Sequence, residues 1–433
     1  MSTPPDRVDA VTADFLIDNL TDAERRRARI VESVLPKLEA RAVDADRDGV
    51  FPVGHVQTFA DAGLLGLVVP ERFGGLGGGL RDLVAATFAL GTKCPSTALA
   101  FFFHCSSASR GLLPLEALEA GLFGPEQSNE VRGFAERLLR ELGTDRKWMA
   151  NFASESVKSS TANITIATTA TPTVDGPPGW LLNGVKSFGC ATGVADRYLV
   201  TASIPGGSSA EYLGVFMVDR SAPGIAERSR WDAIGMRATA THGITLDNVF
   251  VAAHDALGMP GAFVKMMQVS RGSFVGSQVA GTAVYLGAAK AVYDFAIEHL
   301  STNVLVDTGK PIGTAPFQQQ LIGEMRMHLD TATLWLRRQL ELESSETPMM
   351  SKPDVVRQWR IAKGTIAEEA FNVGVTALKA CGTSNATNSG MVARMLRDLS
   401  MGLVQAFPPE KGRIEAASMI VTGAEQTQFG ASR

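Results

Sequence analysis

Leu182-Asn183-Gly184-Val185-Lys186, then Phe188, then Gly193-Val194-Ala195-Asp196, forms one strand-and-turn pattern, and a second runs from Trp231 to Val251. The second holds a Gly235-Met236-Arg237 turn, small hydroxyl residues at Thr239 and Thr241, and a strand-like run from Gly243 to Val251. β-Branched and aromatic side chains fit a pleated, half-buried surface, and glycine-rich breaks supply the turns. The same texture extends outward from Lys147 to about Val251. Tyr212 to Val218 reads as another strand, and Gly176-Pro177-Pro178-Gly179 and Gly206-Gly207-Ser208-Ser209 read as loops. An antiparallel barrel or sandwich of roughly 100 residues is expected there.

On either side the period becomes helical. Glu24 to Ala42 sets Ile30, Val31, Val34 and Leu35 on one face with charges opposite, an amphipathic helix that Pro36 is expected to kink or interrupt. Val279 to Leu300, Phe317 to Leu342, Val355 to Lys379 and Met391 to Val404 are each long enough for bundle helices. The glycine-rich string Phe73 to Gly79 lacks the Lys-Ser/Thr of a phosphate loop and reads as a tight connection.

The 433 residues suffice for two to three domains' worth of core. A net charge of −4 with no long basic run argues against nucleic acid and anionic membranes as partners. No apolar run approaches the ~18 residues that span a bilayer, and Met1 to Asn19 lacks the layout of a signal peptide. The four cysteines and six histidines are scattered without metal-ligand spacing. No metal site and a cytoplasmic location with reduced thiols are therefore expected.

The two opening patterns resemble the β-domain of the acyl-CoA dehydrogenase superfamily of flavoproteins, and Pro70-Glu71 with Phe73-Gly74-Gly75 and Gly77 resembles its N-terminal domain. The resemblance implies an α+β fold: a helical domain over residues 1–146, a middle antiparallel β-domain over 147–258 and a C-terminal four-helix bundle over 259–433. It also implies FAD as cofactor, a homotetramer built as a dimer of dimers, and α,β-dehydrogenation of an acyl thioester on CoA or a carrier protein. An electron-transfer flavoprotein would then be the redox partner.

Several positions depart from that pattern. The strand that offers hydroxyls and amides to the flavin matches Phe152-Ala153-Ser154-Glu155-Ser156, which leaves Ser154 and Ser156 as donors. Phe188 takes the place of a ring-flanking Trp and Cys190 that of a Thr near N5, and Thr192 could replace the lost hydroxyl. The pyrophosphate-binding Arg corresponds to Leu305, the loss of a contact worth ~1.5–3 kcal/mol, while Gln318 and Gly382 remain in the cofactor segments and Thr383 stands in place of the second glycine. FMN, which needs no pyrophosphate cradle, becomes an alternative.

The base is the largest departure. Its place, nine residues after Arg397, is Ala406, and the family's alternative place falls near Ser277. Glu410, four residues beyond Ala406, is the substitute candidate. His104, after an apolar helical run, is a second catalytic candidate, because flavin monooxygenases on this scaffold use a His from that region. Arg237 and Arg394 are the substrate-binding candidates. Two alternatives follow: a two-component monooxygenase fed reduced flavin by a reductase, and a non-catalytic subunit paired with an active homologue.

Overall fold

The computed structural model describes residues 10–160, 162–228, 230–271, 278–423 and 427–431. Six helices come first: α1 (Asp22–Asp48), α2 (Gly54–Asp61), α3 (Leu80–Gly91), α4 (Pro95–Ser107), α5 (Ser109–Glu119) and α6 (Pro125–Gly143). Thr21 and Glu24 begin α1 reciprocally, each side chain accepting from the other's backbone N–H, and Gly49 ends it at φ 60°. The expected break at Pro36 does not occur. α1 continues uninterrupted past it, with Val31, Val34, Leu35 and Leu38 buried on both sides, so packing outweighs the one backbone bond that proline removes.

Next come β1 (Met149–Phe152), β2 (Ala162–Ile166), β3 (Thr169–Pro172), β4 (Gly179–Gly189), β5 (Arg197–Ser203), β6 (Leu213–Asp219), β7 (Ile225–Glu227), β8 (His242–Ala252) and β9 (Ala256–Leu257). The main sheet has the order β7-β8-β4-β3-β5-β6-β9. β4 and β8, the two opening strings, lie antiparallel with Leu182 opposite Val249 and Lys186 opposite Ile244. The sheet is mixed rather than wholly antiparallel: β1 arrives from α6 and lies parallel to β5.

The third part comprises α7 (Ala262–Val269), α8 (Gln278–Thr302), α9 (Pro316–Ser344), α10 (Lys352–Cys381), α11 (Met391–Gly402) and α12 (Pro409–Thr422). Helices α8 to α11 match the four expected ones, and α12 adds a fifth after Pro408-Pro409. A final strand, β10 (Thr427–Ala431), returns to pair in parallel with β2.

The first and third parts share one core. At Gly91 an added Cβ would stand 2.5 Å from the Val284 carbonyl, and at Gly287 one would stand 2.2 Å from that of Phe88. Helices α3 and α8 therefore meet backbone to backbone, a contact that side chains at those positions would prevent.

Candidate functional site

A cavity of about 550 Å³ opens where α4, the ends of β1 and β4, the Trp231–Thr241 turn and the bundle converge. Its flat wall comes from the predicted strand. Phe188 is half exposed and meets Trp231 edge-on, with centroids 5.7 Å apart. Beside them the hydroxyls of Thr239 and Thr241 lie 2.6 Å apart, and Thr241 Oγ1 lies 3.0 Å from Cys190 Sγ. Burial pushes the Cys190 thiol up to about 12, so at neutral pH it is a packed, protonated group rather than a nucleophile.

The turn that carries these hydroxyls is fastened to the bundle. Asp398 Oδ1, on α11, accepts from the Met236 N–H at 2.6 Å, and Gly235 packs against the Arg397 carbonyl. Burial pushes the Asp398 carboxyl up to about 6, against the pull of Arg394 and of that N–H. Its folded value exceeds the unfolded one, so its contribution is fully present at low pH and is lost as pH rises through about 6. Asp398→Asn keeps an acceptor and removes the buried charge. We expect a higher melting temperature at pH 7.5 and no difference below pH 4, read by scanning calorimetry. A lower melting temperature at pH 7.5 would refute this account.

The cavity also carries charge. Glu155 supplies the only carboxylate among the described lining residues. It is fully engaged: Lys186 Nζ lies 2.5 Å from Oε1, the Ala167 N–H donates to Oε2 at 2.7 Å, and the Thr168 N–H donates to Oε1 at 3.1 Å. Arg360 also lines the cavity and pairs with Glu415 at 2.9 Å. Arg110, Lys158 and Lys411 add positive charge to the walls.

Of the residues marked in the sequence, Ser154, Phe188 and Cys190 lie together on the cavity wall. Ser156 is off it, its Oγ 2.8 Å from that of Ser187. Thr192 is buried and donates to the Gly189 and His242 carbonyls at 2.6 and 2.9 Å, so its hydroxyl serves the turn. Gln318 and Gly382-Thr383 stand outside the lining, at the start of α9 and the end of α10.

The polar candidates for catalysis and substrate binding lie elsewhere. His104 is fully buried, with Nε2 2.8 Å from the Leu65 carbonyl and Nδ1 accepting the Met149 N–H at 3.0 Å. Both ring nitrogens are used, one tying α4 to the Leu64–Gly66 turn and the other to β1, and burial lowers the imidazole to about 4. Glu410 is exposed in the first turn of α12, and its neighbour Lys411 is the residue that lines the cavity. Arg237 binds the turn to α1 through the Asp46 carbonyl at 2.8 Å. Arg394 is not a surface cation: it is buried, with Nη1 3.4 Å from the Lys93 carbonyl. Ser277 lies outside the described residues. Arg110, Arg360, Lys411 and Tyr285 also line the cavity and carry no local motif, because long-range packing brings them there.

A flavin fits this wall. Thr165 Oγ1 is buried without a partner among the lining groups, Ser154 and the Thr239–Thr241 pair offer hydroxyls, and Phe188 with Trp231 offers an aromatic face. Among the described residues no cluster of ligands suits a metal ion, and no helix is long and apolar enough to cross a membrane.

Comparison with known proteins agrees with the architecture. The N-terminal, middle and C-terminal domain models of acyl-CoA dehydrogenases match residues 22–114, 150–249 and 279–407. The chain is 25% identical over 398 residues to the putative acyl-CoA dehydrogenase YdbM of Bacillus subtilis, covering 88% of this chain and 93% of that one. It is 32% identical over 279 residues to the L-evernosamine nitrososynthase of a Micromonospora species, covering 64% of this chain and 62% of that one. The structure of KijD3 in complex with FMN and a dTDP-linked amino sugar superposes with a TM-score of 0.77 at 26% identity, covering 95% of this chain and 96% of that one. Three consecutive domain matches on the expected order of helices, sheet and bundle establish that the chain belongs to the acyl-CoA dehydrogenase superfamily.

Proposed function

We propose that this chain is a flavin-dependent monooxygenase, which takes its flavin already reduced and oxygenates a small molecule in the cavity. The observation that carries this reading is the committed state of Glu155, the one carboxylate of the described wall. Dehydrogenation of a thioester needs a free base beside the α-carbon. Ala406, where the resemblance puts that base, brings only a methyl group to the lining. Glu410 lies outside it. The nitrososynthase relative and the FMN-bound neighbour add support.

Ser154, Thr165, Thr239 and Thr241 would hold the ring's polar edge, and Phe188 and Trp231 its face. A reduced flavin supplies the electrons for oxygen activation. The chain itself keeps bulk water from the ring with Trp359, Tyr285 and Phe407 and presents cations to the ligand. FMN suits a chain without the pyrophosphate-binding arginine, and a separate reductase is the partner this requires. A second copy would be reached through exposed Val304, Val306 and Phe317, beside Gln318.

Reduced FMN mixed with the chain and oxygen should release hydrogen peroxide more slowly than free reduced FMN. Flavin-loaded chain should not bleach anaerobically with acyl-CoAs. Stoichiometric FAD that bleaches with an acyl-CoA would overturn this reading in favour of a dehydrogenase.

A further inference from the structure

Arg110 is the second residue of α5 and lines the cavity, yet it is only 2% exposed. Its Nε is buried without a hydrogen-bond partner, and Nη1 reaches only Ser109 Oγ, at 3.3 Å. The guanidinium rests over Phe263, 5.8 Å from the ring centroid. Burial alone lowers it to about 10, with no acidic group acting against that pull, so it stays charged at neutral pH. The buried Arg360, by contrast, has Glu415. A buried guanidinium with five donors and no anion is a costly arrangement, retained where a ligand completes it.

We infer that Arg110 receives an oxyanion of the cavity's substrate, so that the substrate is a small molecule with an apolar body and a carboxylate or phosphate. Leu99, Phe103 and Val404 supply the apolar surface for that body. A planar guanidinium matches either oxyanion with paired hydrogen bonds. The inference rests on reading the cavity as a substrate chamber. Its test needs no turnover, so failure of the oxygenation assay and failure of this site are separate results.

Calorimetric titration of the full chain with hexanoate, hexyl phosphate and hexanol provides that test. The parent chain should bind one or both anions about tenfold or more tightly than hexanol, the range of a charge-assisted bond. Arg110→Gln should bind all three alike, and Arg110→Lys should keep part of the preference. The ratio of FMN to riboflavin affinity should be the same in parent and Arg110→Gln. Without ligand, Arg110→Gln should melt no lower than the parent, and the anions should raise the melting temperature of the parent only. The inference is overturned by the lack of an anion preference in the parent, or by one that survives in Arg110→Gln. A fall in the FMN-to-riboflavin ratio, which would assign the guanidinium to the flavin phosphate, also overturns it. So does a lower ligand-free melting temperature in the variant, which would make Arg110 a structural residue.

Discussion

Glu155→Gln is expected to lower the unfolding free energy by about 3–5 kcal/mol, the cost of leaving one member of a buried ion pair alone. Lys186 is fully buried and the Glu155 side chain is 3% exposed, so water cannot replace the lost partner. The Thr201 carbonyl would remain as an acceptor, but it carries no compensating charge. The penalty should depend on pH with a definite sign. In the parent, burial pulls Lys186 down to about 8 while Glu155 holds it up. In the variant it falls further, whereas in the unfolded chain it stays near its usual value of about 10.4. Across that interval the unfolded chain binds a proton that the folded chain does not, so the variant gains stability as pH rises. Urea unfolding should therefore separate the two chains most at pH 6 and less at pH 9. Coincident midpoints at pH 6 would discard the explanation.

A second large effect is expected from Lys363→Met. Lys363 on α10 is buried, donates to the Gly402 carbonyl at 2.8 Å and to that of Phe407, and sits 5.2 Å from the Phe407 ring centroid. These bonds hold both ends of the loop from Leu403 to Pro408, where Ala406 has φ 66°, a conformation that costs an alanine about 1 kcal/mol. The same loop brings Val404, Gln405, Ala406 and Phe407 to the cavity. Methionine preserves length but leaves two acceptors without a donor, a loss of about 2–4 kcal/mol. Ligand affinity should fall with it, by about tenfold for each 1.4 kcal/mol used to reorder the loop.

Burial lowers Lys363 to about 7, with Glu368 and Glu410 opposing. The parent therefore gains stability as pH rises from 7 toward 10, where the unfolded chain still holds the proton. The variant lacks that gain, so its deficit should widen over the same range. Equal stability together with unchanged affinity would remove Lys363 from any role in shaping the wall.

Much of the architecture was legible because it rests on periodicity. Gly243 to Val251 is rich in the β-branched residues that strands favour, and it pairs with Leu182 to Lys186 as β8 and β4. The bundle helices announce themselves through length and apolar spacing. Pro36 misled because a local rule assigns it a break, while Val31, Val34, Leu35 and Leu38 pack a continuous helix around it. The flat wall of the site was legible too, since Ser154, Phe188 and Cys190 sit on strings with a recognisable register.

The charged side was not. Arg110, Arg360 and Lys363 all lie on helices, and sequence spacing cannot say that one guanidinium finds Glu415 while another finds no carboxylate. His104 shows the converse. An isolated histidine after an apolar run suggests chemistry, but its two nitrogens join α4 to the backbone around it.

The pairing of β10 with β2 bears on the order in which the molecule can be assembled. Ile164 and Thr165 belong to the cavity wall, and their strand gains its parallel neighbour only from residues 427–431, separated from it by most of the chain. During synthesis the antiparallel pairs of the main sheet can form as soon as their strands emerge, whereas α3 has to wait for α8. That last strand emerges only after the bundle helices and then has to close a very long loop. The wall is therefore completed later than the sheet and bundle that flank it, and a nascent chain can hold most of its helices before its ligand chamber is closed.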